Sequence, residues 1–166
     1  IEAEREELQF IKKHADYIMD TSHMLVRELK QEIDKIFLEN EEYQNFFITI
    51  LSFGFKYGIP ADCDLVFDVR FLPNPYYIPE LKKKTGNDFE VYDYVMKSEQ
   101  AKEFDEKLFD MIKFLVPNYI TEGKNQLVIG IGCTGGKHRS VSLANALAKH
   151  MQELPYSLKV EHRDIE

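Results

Sequence analysis

The stretch Gly132-Cys133-Thr134-Gly135-Gly136-Lys137-His138-Arg139-Ser140 combines a thiol, two hydroxyls, two adjacent glycines and three consecutive cationic or titratable side chains. It follows an apolar run, Leu127-Val128-Ile129-Gly130-Ile131, and precedes a helical pattern from Val141 to Met151. A strand, a Gly-rich turn and a helix N-terminus in that order aim several backbone N–H groups at one anion. The glycines allow close approach and positive φ. Ser140 can cap the helix or bond an oxyanion. The pattern predicts a phosphate-binding turn rather than a bare strand-to-helix bend.

Two phosphate chemistries can be compared with this turn. A Walker loop requires Gly, four residues, then Gly-Lys-Ser/Thr. Ile131 stands where its first glycine belongs, and His138 where its hydroxyl belongs, so that pattern fails twice. Cys-x-x-Gly-x-x-Arg-Ser fits from Cys133 to Ser140 and resembles the phosphate loop of cysteine-dependent phosphatases. There a thiolate attacks phosphorus while loop amides and the arginine hold the oxygens. A thiol beside cations at a helix N-terminus would have a lowered pKa. Gly132 replaces the histidine that usually precedes the cysteine, and no general acid is evident. A cysteine-dependent phosphatase using Cys133-x5-Arg139 is therefore the alternative reading.

A longer resemblance points elsewhere. Ser52-Phe53-Gly54-Phe55-Lys56-Tyr57-Gly58-Ile59-Pro60, the stretch from Asp64 to Tyr76 with Asp68-Val69-Arg70-Phe71-Leu72-Pro73-Asn74-Pro75, Leu81 to Gly86, Gly130 to Val141, and His162-Arg163 occur in the order of the RapZ/YvcJ family. Over residues 46–166 the chain resembles that family's C-terminal ligand-binding domain. The resemblance implies a bacterial cytoplasmic regulator in which a Walker-type domain precedes this one. In enterobacterial members the C-terminal domain binds small RNAs and senses glucosamine-6-phosphate. Residues 1–45 then correspond to the end of the P-loop nucleotide-binding domain plus a linker. The Walker loop is absent, so ATP or GTP is expected only in the missing N-terminal domain. No cofactor and no enzymatic activity are expected of this fragment itself.

Composition agrees with a domain of that kind. The chain is 44% hydrophobic and 13% aromatic, enough for a core. No apolar run approaches the ~20 residues of a membrane span, and no signal peptide is visible. Two cysteines, Cys63 and Cys133, make no disulfide framework, which favours a reducing compartment. No Cys/His cluster has zinc spacing. Residues 1–45 hold 12 acidic and 6 basic side chains and residues 46–166 hold 17 and 15, net −6 and −2 within a total of −8. Neither part has the bulk basicity of a nonspecific nucleic-acid binder. RNA binding would rest on a local patch such as Lys82-Lys83-Lys84, Lys137 with Arg139, or Arg163. The lysine run reads equally as a solvated helix end before Gly86.

The elements that must position these residues follow from periodicity. Strands are expected at Phe46–Phe53, Leu65–Phe71, Leu127–Ile131 and Leu158–Asp164. Helices are expected at Asp88–Lys97, Glu99–Tyr119 and Lys137–Glu153, with Pro117 ending or kinking the second. Apolar strands alternating with helices predict an α/β fold: a mostly parallel sheet of about four strands with helices on both faces. An N-terminal helical appendage is expected from Glu4–His14 and from Met24–Leu38, the latter capped by Thr21 or Ser22. A strand is expected between them at 15–22. Without neighbouring strands this appendage should self-associate, making a homo-oligomer.

Ligands of parallel sheets bind beyond the carboxyl ends of the strands. Asp68 and Arg70, two apart, share one side of the second strand. His162 and Arg163 lie late in the fourth. If the strands are parallel neighbours, these four residues and the turn from Cys133 through Thr134, Gly135, Gly136, Lys137, His138 and Arg139 to Ser140 converge. Arg70 or Arg163 would then contact a phosphate and Asp68 an ammonium or sugar hydroxyl. The expected function is a regulatory domain that binds an amino-sugar phosphate and passes the bound state to a protein or small-RNA partner.

Overall fold

The computed structural model describes residues 46–166 without a break, together with Met19, Thr21, Ser22, Met24–Val26, Glu28–Lys30 and Ile33. The chain divides into two units, Ile1–Asn40 and Glu41–Glu166.

Within the second unit, strands β1 (Phe47–Gly54), β2 (Leu65–Asp68), β3 (Gln126–Cys133) and β4 (Ser157–His162) form one sheet. Their order is β2-β3-β1-β4, and every pairing is parallel. The α-helices are α1 (Phe89–Met96), α2 (Glu99–Thr121) and α3 (Arg139–Met151). Short 3-10 turns follow β1 at Phe55–Tyr57 and β2 at Pro75–Tyr77. The α/β class and the four parallel strands are as the sequence predicts.

Register and alternation divide the sheet into two faces. Ile48, Ile50 and Ser52 align with Leu127, Ile129 and Ile131, with Leu65 and Phe67, and with Leu158, Val160 and His162. The apolar residues of this face share one core with Val95 of α1, Leu108, Ile112 and Val116 of α2, and Leu143, Ala144 and Leu147 of α3. Helix α3 lies at the centre of this layer. Ten of its residues are buried, from Arg139 to Met151.

Among the described residues of this second unit the three α-helices lie on one face of the sheet, where the sequence predicts helices on both. Chain direction explains it. The connections β2–β3 and β3–β4 step across the sheet one way, and β1–β2 steps the other way. Right-handed crossovers therefore put the first two on one face and the third on the opposite face. The β1–β2 connection, residues 55–64, is too short and too rich in Gly and Pro for an α-helix. It covers the carboxyl half of its face with Phe55 and Cys63, while Phe47 and Val66 stay exposed.

Local chemistry sets the element ends. Ser98 caps α2 by accepting the Ala101 N–H at 3.2 Å. Helix α2 continues past Pro117 to Thr121, so the proline does not end it. The Asn118 side chain donates to the Phe114 carbonyl and the Thr121 hydroxyl donates to that of Pro117, bracketing the missing donor with side-chain contacts. Strand β2 stops at Asp68 rather than Phe71, because the Asp68 carboxylate accepts the Arg70 N–H and bends the chain. The Val69 N–H still reaches the Gly132 carbonyl.

In the first unit Val26, Glu28–Lys30 and Ile33 are helical. Leu25 N–H donates to the Glu28 carboxylate at 2.9 Å, the reach-back half of a capping box. Of the strand expected at 15–22, Met19, Thr21 and Ser22 are described and are not in a strand. The helix expected at Glu4–His14 and the self-association surface over residues 1–40 fall largely outside the described residues. Among the described residues no helix is long and apolar enough to cross a membrane.

Candidate functional site

Because all four strands are parallel, their carboxyl ends meet on one edge of the domain. Gly54 of β1 and Cys133 of β3 are register partners, as are Asp68 and Gly132, and Ser52 and His162. The turn Thr134–His138 joins β3 to the N-terminus of α3. Its backbone is held from several sides. The Lys56 N–H donates to the Thr134 carbonyl at 3.3 Å, and the Gly86 N–H to that of Lys137 at 2.9 Å. Gly136 has φ +79°, which a side chain would strain, and a Cβ there would lie 2.7 Å from Asp164. A Cβ on Gly54 would lie 2.6 Å from the Gly135 carbonyl carbon.

The turn keeps donors in reserve. Among the described residues, the backbone N–H groups of Gly135, Lys137 and His138 have no protein acceptor, whereas that of Gly136 donates to Cys133 Sγ at 3.3 Å. The Lys137 side chain forms no ion pair with any described residue. Lys56 stands beside the turn: a Cβ on Gly135 would be 4.0 Å from its Nζ. Nothing in the sequence analysis singled out Lys56 as a site residue, and only the β1–β3 pairing brings it here. Gly54 arrives by the same pairing and Asp164 by the pairing of β1 with β4.

The arginines behave differently from one another. Arg139 is 5% exposed. Its Nη1 donates to the carbonyls of Arg70 at 2.6 Å and Leu72 at 3.3 Å, and its Nη2 to Thr134 Oγ1 at 3.2 Å. It clamps the exit of β2 to the turn. Arg70 and Asp68 form a bidentate, exposed pair, and the guanidinium lies 4.5 Å from the Phe55 ring centroid. That hydrogen bonding holds the Asp68 carboxyl below its usual range. Arg163 donates to the Gly58 carbonyl at 2.7 Å and to Asp164 at 2.8 Å. Asp164 in turn accepts the Gly54 N–H at 2.8 Å. Burial pushes the Asp164 carboxyl up, but Arg163 and the Gly54 N–H outweigh it and leave it lowered.

The remaining candidates are buried or half-buried. Cys133 is 3% exposed, with Ser140 Oγ 3.2 Å from its sulfur. His162 Nδ1 lies 2.9 Å from Ser52 Oγ, and burial lowers its pKa. His162 and Arg163 also line an open depression of about 630 Å³ with Leu51, Pro60, Ala61, Asp62 and Glu161, and no turn residue reaches it. Thus Cys133–Ser140, Asp68 and Arg70 converge with Lys56, while Arg163 contributes through Asp164 and His162 is tied to Ser52. Among the described residues, no cluster of His, Cys, Asp and Glu could hold a metal ion.

The arrangement presents three amides without protein acceptors beside two lysine side chains, the donor set that suits a small oxyanion. Residues 46–166 match the family model described as the RapZ C-terminal domain. The chain is 66% identical over 166 residues to a nucleotide-binding protein of Lachnoclostridium phytofermentans, covering all of this chain and 58% of that protein. It is 68% identical over 163 residues to a nucleotide-binding protein of Agathobacter rectalis, covering 98% of this chain and 56% of the relative. A nucleotide-binding protein of Caldanaerobacter subterraneus subsp. tengcongensis is 58% identical over 165 residues, with 99% and 58% covered. The chain thus spans a little over half the length of the curated relatives it matches. From its turn, its sheet and these similarities together, the chain belongs to the RapZ C-terminal domain family.

Proposed function

We propose that residues 46–166 bind a phosphorylated small molecule, an amino-sugar phosphate such as glucosamine-6-phosphate, at the Cys133–Ser140 turn. The bound state is then passed to a protein or small-RNA partner. The observation that supports this reading is the set of acceptor-free amides at Gly135, Lys137 and His138, flanked by Lys137 and Lys56. Arg139 shapes the turn through the Arg70 and Leu72 carbonyls and presents the Thr134 hydroxyl. Asp68, 44% exposed in its side chain, is the acceptor available to a ligand ammonium or hydroxyl. The nucleotide binding named for the relatives is assigned here to the part of those proteins beyond the matched region.

Calorimetric titration with amino-sugar phosphates, the unphosphorylated amino sugars, nucleotides and inorganic phosphate tests the proposal. Phosphorylated sugars are expected to bind and their unphosphorylated counterparts to lose all measurable heat. Equal affinity for both would sink it.

The phosphatase reading draws on one observation, the Gly136 N–H and Ser140 hydroxyl gathered around Cys133 Sγ. Against it, the thiol is buried and Arg139 is turned toward the Arg70 and Leu72 carbonyls. In the binding reading Cys133→Ser leaves ligand affinity nearly unchanged. Aryl-phosphate turnover by the wild type that vanishes in this variant would reverse the preference.

A further inference from the structure

Besides β1 and β2 the turn has a further neighbour: the segment Leu81–Gly86, which carries Lys82, Lys83 and Lys84. Three contacts join them. The Gly86 N–H donates to the Lys137 carbonyl at 2.9 Å. Gly86 is packed so closely that a Cβ would lie 2.4 Å from the His138 carbonyl oxygen. The third is His138 itself. It is 8% exposed, and its imidazole faces the backbone carbonyls of Lys84, Lys82 and Leu81. Its Nε2 is buried without a partner. Its backbone, at φ −114° and ψ −82°, is outside the regular regions at the very start of α3.

A buried imidazole with an unmatched nitrogen, held in an irregular backbone conformation, costs free energy that the surrounding contacts must offset. His138 also owns one of the acceptor-free amides of the turn. One residue therefore offers its N–H to the anion on one side and its ring to the lysine-bearing segment on the other. We propose that His138 couples the two: filling the turn tightens the Leu81–Gly86 segment against the imidazole, so that Lys82–Lys84 is the surface that reports occupancy. Burial holds the imidazole below its usual pKa, so the coupling acts through a neutral ring at pH 7. The surface reporting the bound state is anchored at one end by Thr85, whose N–H and hydroxyl both donate to Asp88, and at the other by Lys82 stacked 4.4 Å from the Tyr76 ring. His138 acts here as a positioning residue, and the inference rests on anion binding at the turn.

Hydrogen exchange of the whole chain, with and without saturating inorganic phosphate, reads both regions at once. The turn amides and those of Lys82–Gly86 are expected to slow together, the segment by about fivefold or more. His138→Phe is compared at matched occupancy, with phosphate raised until calorimetry shows the turn filled whatever the variant's affinity; the segment should then exchange at its phosphate-free rate although the turn amides slow. His138→Gln, which keeps a donor, should restore part of the effect. Slowing at the turn with no change at Lys82–Gly86 in the wild type would overturn the coupling and leave anion binding standing. Equal coupling in His138→Phe would overturn the role of the imidazole. No slowing anywhere, with no heat of phosphate binding, would overturn both.

Discussion

The two ends of α3 treat polar groups in opposite ways. At its N-terminus the turn leaves amides at Gly135, Lys137 and His138 without protein acceptors and keeps Lys137 and Lys56 close by. At its C-terminal end His150 Nδ1 lies 3.2 Å from Asp105 Oδ2 of α2, and the His150 ring packs 5.5 Å from that of Phe109. Asp105 is 4% exposed and its Oδ1 has no partner. The helix macrodipole favours an anion at the first end and a cation at the second. At the second end His150 and Asp105 of the same fold face each other. At the first end no group of the described chain faces the three amides, and on the proposed reading that position belongs to a ligand.

The largest effect should come from closing the turn. Gly54→Val places atoms where the Gly135 carbonyl carbon is already 2.6 Å from an added Cβ. Overpacking of this kind costs about 1–3 kcal/mol. Urea unfolding should record that loss, and calorimetry should find no phosphate binding. Normal binding in a normally stable variant would show that the β1–turn contact does not shape the site.

Arg139→Ala comes next. It removes a buried guanidinium from two carbonyls and a hydroxyl, and hydrogen bonds to charged groups contribute roughly 1.5–3 kcal/mol each. Stability and phosphate affinity should fall together, the affinity by about tenfold or more. Arg139→Lys should not rescue it, because one ammonium cannot reproduce the planar fork. Unchanged affinity with the fold intact by circular dichroism would refute the clamp.

The other end of α3 makes a pH prediction. Burial raises the Asp105 carboxyl pKa, only partly opposed by His150. A native pKa above the unfolded one means that the native state holds more protons across that window. Stability then falls as pH rises from the ordinary carboxylate range through the raised value. Asp105→Asn should flatten that fall without altering phosphate affinity at pH 7. A lost phosphate response in this variant would mean that the two ends are not separate.

The smallest effect is expected at Lys56, which is exposed and stacked 4.4 Å from the Tyr57 ring. An exposed charge contributes up to about 1 kcal/mol, so Lys56→Ala should weaken phosphate binding by no more than about fivefold at low salt. The difference from wild type should shrink as salt is raised. A salt-independent loss would point to a direct, desolvated contact.

Much of this architecture could be read in the residues, for reasons that also explain what could not. Buried parallel strands appear as apolar runs, so β1 and β3 stand out. Helix α2 shows in the spacing of Phe104, Leu108, Met111, Ile112 and Leu115, but its buried face turns toward Ala101, Asp105 and Val116 and leaves Met111 exposed. The turn is a contiguous motif and needs no tertiary information. Lys56, Gly54 and Asp164 join the site only through strand pairing; Gly54 and Asp164 are separated by 110 residues along the chain. The engagement of Arg139 with the Arg70 and Leu72 carbonyls is equally invisible, because carbonyl partners leave no trace in residue type. The placement of α1, α2 and α3 on one face of the sheet follows from strand order, which periodicity does not report. Asp68–Arg70 shows the limit of spacing arguments: the strand ends at Asp68, so its alternation does not reach Arg70, and the two side chains pair with each other through the bend.

Backbone amide NMR during titration with glucosamine-6-phosphate tests the central claim most directly. The account predicts the largest shifts at Gly135–Ser140, smaller ones at Gly54–Lys56, and none near His150, with unphosphorylated glucosamine leaving the spectrum unchanged. Shifts confined to the depression around Pro60–Asp62, or an equal response to both sugars, would contradict it.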